Sequence, residues 1–407
     1  MSSEVITDKR LYDFVTRCGK CAQCTCGYED VEFELICPIY KRFNFFTYSL
    51  GGMAQLARTL DEGMIGLTES VSDVLYKCIG CGACAEVCSR VDFRDMMKLQ
   101  HELRAKCVEV GQVPFAHMVT IEGLKKDDNM LQKPKAERGK WAEGLEVKDI
   151  TKEKAEVYYH AGCRYCFDEE LWPIARSAVN LLKKAGVDVG IAGKDETCCG
   201  GRAFEMGYQG EFIKYAESIM EMLKTAGIKT LVTSCSDCYY AFKVLYDMHG
   251  KKGDLEVFHI TEYLDRLIKE GKLKLTKSVP LTVTYHDPCH LGRKVEPWIR
   301  QEGTFQAGEI YQPPRNILNS IPGLKFIEMR RIKGNAWCCG AGGGVIDAYP
   351  DFALWTARER IDEAKSTGAE AMVTACPWCK RNFNDALKEG NGGLKIYDIV
   401  ELVEQAL

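Results

Sequence analysis

Apolar and polar positions alternate in two different ways along this chain, and the change of pattern divides it. From about Phe43 to Val74 the apolar residues keep a helical rhythm, with Met53, Leu56 and Leu60 spaced to share one buried face. An α-helical amino-terminal domain over residues 1–126 is predicted. From Lys125 to Glu156, Lys, Glu and Asp crowd the sequence and large apolar residues are few, so residues 127–156 are expected to be a solvated, charged connector. Beyond it, short β-favouring runs alternate with helical stretches. Val157 to Tyr159 reads as a strand, Trp172 to Lys184 as a helix stopped by Gly186, and Val187 to Ile191 as a second strand. Ile213, Ala216, Met220 and Leu223 mark one face of a further helix, Gly227 ends it, and Leu231 to Thr233 is a strand leading into Cys235.

This second region repeats itself, the first thing to test in a chain of this length. VYYHAGC, ending at Cys163, pairs with VTYHDPC, ending at Cys289. TCCGG, with Cys198 and Cys199, pairs with WCCGAGGG, with Cys338 and Cys339. TLVTSCSDC, with Cys235 and Cys238, pairs with AMVTACPWC, with Cys376 and Cys379. The CCG pairs stand 140 residues apart and the CxxC pairs 141 apart, so the register is held. Residues 157–407 are therefore expected to be a duplication, with repeats at about 157–275 and 280–407. About 35 residues, one helix and one strand, separate the cysteine groups of each repeat. In a parallel sheet with right-handed crossovers that period returns every group to the carboxyl ends of the strands, where open α/β sheets bind ligands.

Composition narrows the chemistry. The 407 residues are 46% hydrophobic and 28% charged, as in an ordinary globular protein, and the formal net charge of −4 argues against a nucleic-acid-binding surface. No apolar run approaches the ~18 residues that cross a bilayer, and MSSEVITDKR lacks the apolar core of a secretion signal, so a cytoplasmic protein is expected. The anomaly is 21 cysteines. In a reducing compartment such paired cysteines point to metal or redox chemistry rather than to disulfides.

Cys78, Cys81, Cys84 and Cys88 follow the C-x2-C-x2-C-x3-C spacing of a cubane [4Fe–4S] site. Structural zinc instead takes two separated pairs of ligands. Cys18, Cys21 and Cys24 keep the x2 gaps, but Cys26 follows at once and the Cys-Pro that closes such a run waits until Cys37 and Pro38. In two-cluster ferredoxins the fourth cysteine of each run serves the other cluster. On that analogy Cys18, Cys21, Cys24 and Cys88 hold one cubane, and Cys37, Cys78, Cys81 and Cys84 the other, with Cys26 an alternative to either late ligand.

With a cysteine, a CCG and a CxxC in each repeat, the second region resembles the CCG-domain family, whose best-known members are heterodisulfide reductases. The resemblance implies that each quintet holds a non-cubane four-iron cluster: Cys163, Cys198, Cys199, Cys235 and Cys238 in one, and Cys289, Cys338, Cys339, Cys376 and Cys379 in the other. A ferredoxin-type half fused ahead of such a catalytic half is the layout of the heterodisulfide reductase D-subunit and its relatives. The implied fold is α+β overall: a helical ferredoxin-like domain with two cubane [4Fe–4S] clusters, then a duplicated α/β CCG domain with parallel sheets. The implied activity is reduction of a disulfide, or the reverse, with electrons passing through two cubane and two non-cubane clusters. The alternative is a relay subunit without its own disulfide, inside a hydroxy-acid dehydrogenase, a quinone-linked complex or an acyl-CoA reductase.

In this family a histidine beside the first cysteine of the second repeat is a proton donor, which here is His290 in HDPCH. His160 and His286 occupy matching places in the two repeats, and a structural task is expected of both. The glycines at 340, 342, 343 and 344 do not match G-x-G-x-x-G, and a backbone pressed against a cluster or substrate is expected instead. No flavin or nicotinamide site is visible. Electrons would come from a partner such as a membrane cytochrome b, an electron-transferring flavoprotein or a flavin-bearing subunit, with membrane association only through that partner. Arg202, Arg293, Lys380 and Arg381 stand near the cysteine groups and could attract a small anionic disulfide. Cys26, Cys107 and Cys166 remain over, as small buried residues.

Overall fold

The computed structural model describes residues 9–27, 33–88, 93–296, 299–301, 304–306, 308–390 and 392–407. Its amino-terminal part is helical, with principal helices Leu50–Asp61, Glu69–Lys77, Phe93–Glu109 and Phe115–Asp127. The helical rhythm read from Phe43 to Val74 is thus split in two, each half starting at a side-chain cap. Ser49 accepts from the Gly52 N–H and Thr68 from the Val71 N–H. Met53, Ala57 and Leu60 form the buried stripe, while Leu56 sits at its edge.

The rest is built on strands β1 (Lys148–Asp149), β2 (Val157–His160), β3 (Val189–Ile191), β4 (Thr230–Thr233), β5 (Glu256–His259), β6 (Thr282–Tyr285), β7 (Ile299–Gln301), β8 (Thr304–Gln306), β9 (Lys325–Phe326), β10 (Ala371–Thr374) and β11 (Lys395–Asp398). Two parallel sheets result, in the orders β1-β3-β2-β4-β5 and β9-β6-β10-β11; β7 and β8 form a separate antiparallel pair. Setting β1 aside, both repeats have the same order, and the direction of winding reverses between β2 and β4 and between β6 and β10. Those reversals are the switch points at which open α/β sheets leave a crevice. β2 and β10 are buried along their whole length, as parallel strands covered on both faces must be.

The stretch expected as a solvated connector is folded onto the first repeat. Its β1 pairs with β3, Lys148 opposite Gly190 and Asp149 opposite Ile191, so it covers what would otherwise be an open sheet edge. Lys133, Lys135, Lys140, Glu143 and Glu146 are exposed, which is why the segment reads as polar, whereas Trp141 and Arg138 are buried. The helix Gln209–Ala226 turns Phe212, Tyr215, Ala216, Ile219 and Leu223 inward, leaving Ile213 and Met220 at the rim of the predicted face.

Arg104, on the helix Phe93–Glu109, ties the two parts together. Its guanidinium donates to the carbonyls of Leu75 (3.0 Å) and Cys78 on the helical side, and to those of Glu205 (2.8 Å) and Gly343 (3.0 Å), one from each repeat. The glycine run takes its meaning from this seam. Gly343 has φ +59°, and a Cβ there would lie 2.8 Å from the Ile79 carbonyl oxygen, so the backbone is pressed against the helical part. No described helix is long and apolar enough to cross a membrane.

Candidate metal centres

All 21 cysteines are free thiols in the described chain. In the helical part they gather into two sets. The charges acting on the Cys24 thiol are those of Cys88, Cys18 and Cys21, and burial is the largest cause of its raised pKa. Around Cys84 stand Cys37, Cys78 and Cys81, and burial pushes both Cys84 and Cys37 well above the ordinary thiol range. Cys24 acts on Cys84 and Cys37 as well, so the eight sulfurs share one neighbourhood in which Cys88 falls beside Cys24 and Cys37 beside Cys84. Cys26 is turned to the Thr25 hydroxyl at 3.3 Å. Cys21 of the first set is exposed and Cys24 buried, while in the second set Cys37 and Cys81 are buried and Cys78 and Cys84 half-buried.

In the repeats every cysteine group follows the carboxyl end of a strand. Cys163 comes just after β2, Cys235 after β4, Cys289 after β6 and Cys376 after β10. Gly162 carries the chain past the first site: its φ is +80°, and a Cβ would stand 2.8 Å from Cys238 Sγ. Cys235 and Cys376 stand at the N-cap positions of the helices Ser236–Tyr240 and Pro377–Lys388. Backbone N–H groups of Gly200 and Gly340 reach Cys198 and Cys338 Sγ at 3.4 Å in both repeats.

The sulfurs form one series of electrostatic neighbours. Cys163 acts on Cys198, Cys198 on Cys199, and Cys199 on Cys238, which acts on Cys235. Cys235 acts on Cys376 across the repeats; from there the series runs through Cys379 and Cys339 to Cys338 and Cys289. Cys338 also acts on Cys81 of the helical part. Neighbouring thiols are driven in opposite directions. Sulfur contacts hold Cys199 and Cys339 below the ordinary range, while their neighbours Cys198 and Cys338 are pushed up. So many buried thiols cannot all ionise at this spacing without cations among them. A soft, five-sulfur donor set exceeds the four-ligand shell of structural zinc and fits an iron–sulfur cluster.

His290 lies at the seam between the repeats. Its Nδ1 is 3.4 Å from Cys289 Sγ and 3.3 Å from an Asp237 oxygen, and its Nε2 is 2.7 Å from Glu205. Burial works against its charge, but Glu205 and Asp237 hold its pKa well above the ordinary value. Lys294, also buried, pairs with Glu205 and lies over the Tyr240 ring. Beside it a cavity of about 310 Å³ is lined by His101, Tyr240 and Lys294, with Lys98, Lys243 and Lys252 at its other walls. Along the rest of the seam Trp378 stacks under Arg202 at 3.5 Å, and Arg202 pairs with Asp237 at 2.9 Å.

The other basic residues near the cysteines are spent on the protein itself. Arg293 donates to the carbonyls of Cys81, Gly334 and Ala336, Lys380 to that of Ile396, and Arg381 to Asp385 and Asp168. Cys166 donates to Glu196 at 3.3 Å, and burial pushes its thiol up; the same cause raises Cys107 to about 11. Sequence reasoning missed Arg138, which donates to Cys163 Sγ at 3.5 Å and pairs with Glu196 at 3.1 Å. It missed Glu205 and Lys294 as well. Alignment of the two repeats would have exposed one more pair, Phe242 and Phe383, each four residues beyond its CxxC.

Residues 157–243 and 283–384 match a family model described as a cysteine-rich domain, and residues 14–91 match one described as a 4Fe-4S dicluster domain. The chain is 34% identical to the D-subunit of the dihydromethanophenazine:CoB--CoM heterodisulfide reductase of Methanosarcina acetivorans, over 97% of this chain and 94% of that one. It is 28% identical to the EtfAB:quinone oxidoreductase of Syntrophomonas wolfei, over 83% of this chain and 47% of the relative. Among solved structures, a hypothetical protein from Helicobacter pylori superposes with a TM-score of 0.55 at 12% identity, covering 88% of this chain and 67% of that one, a likeness of fold.

Proposed function

We infer the role of this chain from the premise that it belongs to the heterodisulfide reductase D-subunit family. It is an iron–sulfur oxidoreductase subunit that relays electrons. Its work in a larger redox complex follows from that family and from its likeness to an EtfAB:quinone oxidoreductase. Our reading is that it reduces a small anionic disulfide in the cytoplasm, or runs in reverse, and binds no nucleic acid. Cys18, Cys21, Cys24 and Cys88 would hold one cubane, and Cys37, Cys78, Cys81 and Cys84 the other. The quintets beginning at Cys163 and Cys289 would each hold a non-cubane cluster. When bound, such clusters supply single electrons to a substrate that needs two.

The observation that carries this reading is the unbroken series of sulfurs from Cys81 through Cys338 and on to Cys163. Exposed Cys21 gives a partner a place to dock: a membrane cytochrome b, an electron-transferring flavoprotein or a flavin-bearing subunit. Opening a disulfide consumes two electrons and two protons and gives two thiols. His290, held charged by Glu205 and Asp237 and placed beside Cys289, would give one proton to the departing thiolate. The second would come from water in the adjoining cavity, whose walls carry Lys98, Lys243, Lys252 and Lys294 together with Asp247 and Glu296.

Anaerobically purified protein is expected to carry roughly 16 iron atoms, the sum of four four-iron clusters. Tightly held zinc with little iron would end this reading. His290→Gln is expected to lose disulfide reduction driven by an artificial donor while keeping its iron; unchanged turnover would remove His290 as the acid. One observation favours a second reading. Trp378, Arg202 and Asp237 pack on one another at the seam between the repeats, as suits a relay without its own disulfide. Absence of turnover in the iron-replete parent protein would decide for it.

A further inference from the structure

The two repeats place a histidine three residues before their first cysteine, His160 and His286, and both rings are wholly buried. Both are fixed by the same device. Phe242 meets the His160 ring at 4.9 Å and 84°, and Phe383 meets the His286 ring at 4.9 Å and 86°. Each leaves its Nε2 without a hydrogen-bond partner. That atom faces the sulfurs. The His160 Nε2 would be 3.8 Å from a Cβ at Gly162, the same point that lies 2.8 Å from Cys238 Sγ. His286 has a ring nitrogen in a group with Cys339 and Cys379 whose donor atoms all lie within 4.8 Å of one another. An orphaned, buried nitrogen beside two thiols is costly unless it meets a ligand.

The far sides of the two rings differ. Behind His286 stands Arg360, whose Nε–H donates to Nδ1 at 3.2 Å. An arginine can only donate, so this Nδ1 is a lone pair and the ring proton sits on Nε2. Behind His160 stands the Tyr158 hydroxyl, 3.1 Å from Nδ1 and donating to Glu196 at 3.4 Å, with Glu196 itself 3.7 Å from Nδ1. A tyrosine has one proton. With that proton on the carboxylate side, its oxygen accepts from the His160 Nδ1–H, and Nε2 is the lone pair.

We propose that the duplicated sites are made unequal by opposite tautomers of one histidine: His286 presents an N–H to the sulfurs of the second quintet, and His160 presents a lone pair to the first. This rests on the reading that each quintet holds a cluster. The other donors are matched in part. Gly200 and Gly340 give the same N–H···S bond in both repeats, whereas Cys163 has Arg138 beside it and Cys289 has both His290 and Arg293, a fixed difference that the histidine variants leave untouched. An N–H aimed at sulfur favours the state with more negative charge, so His286 raises the reduction potential of its site, and His160 does not.

The test is a redox titration of the holoprotein followed by EPR. Each signal is assigned to a site by its loss in Cys199→Ser or Cys339→Ser. His286→Leu is expected to move the second site to lower potential with iron content unchanged, and His286→Gln, which restores an N–H, to bring it back. His160→Gln, which adds a donor, is expected to raise the first site. The part of the 15N coupling on the second-site signal that survives His290→Gln in histidine-labelled protein should vanish when His286→Leu is added. Iron-replete variants with unmoved potentials would overturn the tautomer proposal alone, whereas an iron-free parent protein would overturn the cluster reading beneath it. If His286→Leu does not fold, His160→Gln decides the matter by the same readout.

Discussion

Replacing Arg104 with Met removes a charge-assisted clamp while keeping much of the side-chain volume, and its effect can be sized from the four carbonyls it holds. Two of them, on Leu75 and Cys78, belong to the helical part and would be orphaned without separating anything. The other two, on Glu205 and Gly343, cross the seam. A hydrogen bond from a charged donor contributes about 1.5–3 kcal/mol, so the crossing pair contributes about 3–6 kcal/mol to keeping the seam closed. At 1.4 kcal/mol per decade that is about a 100- to 10,000-fold rise in the frequency of opening. Tyr76, whose hydroxyl donates to Met206 at 3.0 Å, and His117, at 2.9 Å from the Gly344 carbonyl, stay in place and pull the result to the lower end. Hydrogen exchange under anaerobic conditions reads this local opening without requiring reversible global unfolding. The amides of Val345 and Asp347, which bond within the glycine turn, are expected to exchange faster by that factor, while those of β10 stay protected. Exchange at Val345 and Asp347 within threefold of the parent protein would refute the reasoning.

Burial raises Asp398 from 3.8 to about 7, despite its capping bond to Val400. An acid raised on folding supports the native state fully while protonated, below its unfolded pKa, and loses that support as pH climbs through the folded value. The loss between pH 4 and 8 is ~4 kcal/mol, and Asp398→Asn, which keeps the cap acceptor, should flatten the fall in melting temperature over that window; an unchanged slope would contradict this. Cys166→Ala and Cys26→Ser are each expected to retain the parent iron content, whereas Cys199→Ala should lose iron from its site, all by metal analysis. Gly343→Ala, strained by its φ and by the Ile79 carbonyl, should weaken the same seam as the arginine change, seen as faster proteolysis between the two parts.

What the sequence disclosed and what it withheld divide along contact distance. Cysteine spacing is local, and so are strand and helix periods, so the cysteine groups, their duplication and the strands β2, β3 and β4 were readable. The grouping of Cys88 with Cys18, Cys21 and Cys24 was accessible too, because paired runs carry that pattern. Glu205 and Arg360 act on histidines 85 and 74 residues away, and only the packed fold brings them there, while Lys294, four residues from His290, gains its role only once Glu205 arrives to pair with it. Arg138 was hidden by its neighbours, since one buried guanidinium among exposed lysines leaves no mark on a composition profile. The glycine run was assigned to a cluster or substrate, but its close neighbours are Ile79, Arg104 and His117 across the seam.

The short strand β1 and Arg138 precede the first cysteine-rich repeat in the chain, yet they belong to it physically. A gene that cuts this polypeptide into separately translated halves must therefore break upstream of Arg138. A break closer to Val157 would deliver a larger fragment with the backbone of β3 bare on one side and the Glu196 carboxylate sealed inside without its counter-charge. Such a fragment would be prone to stick to its own copies before any metal reached it.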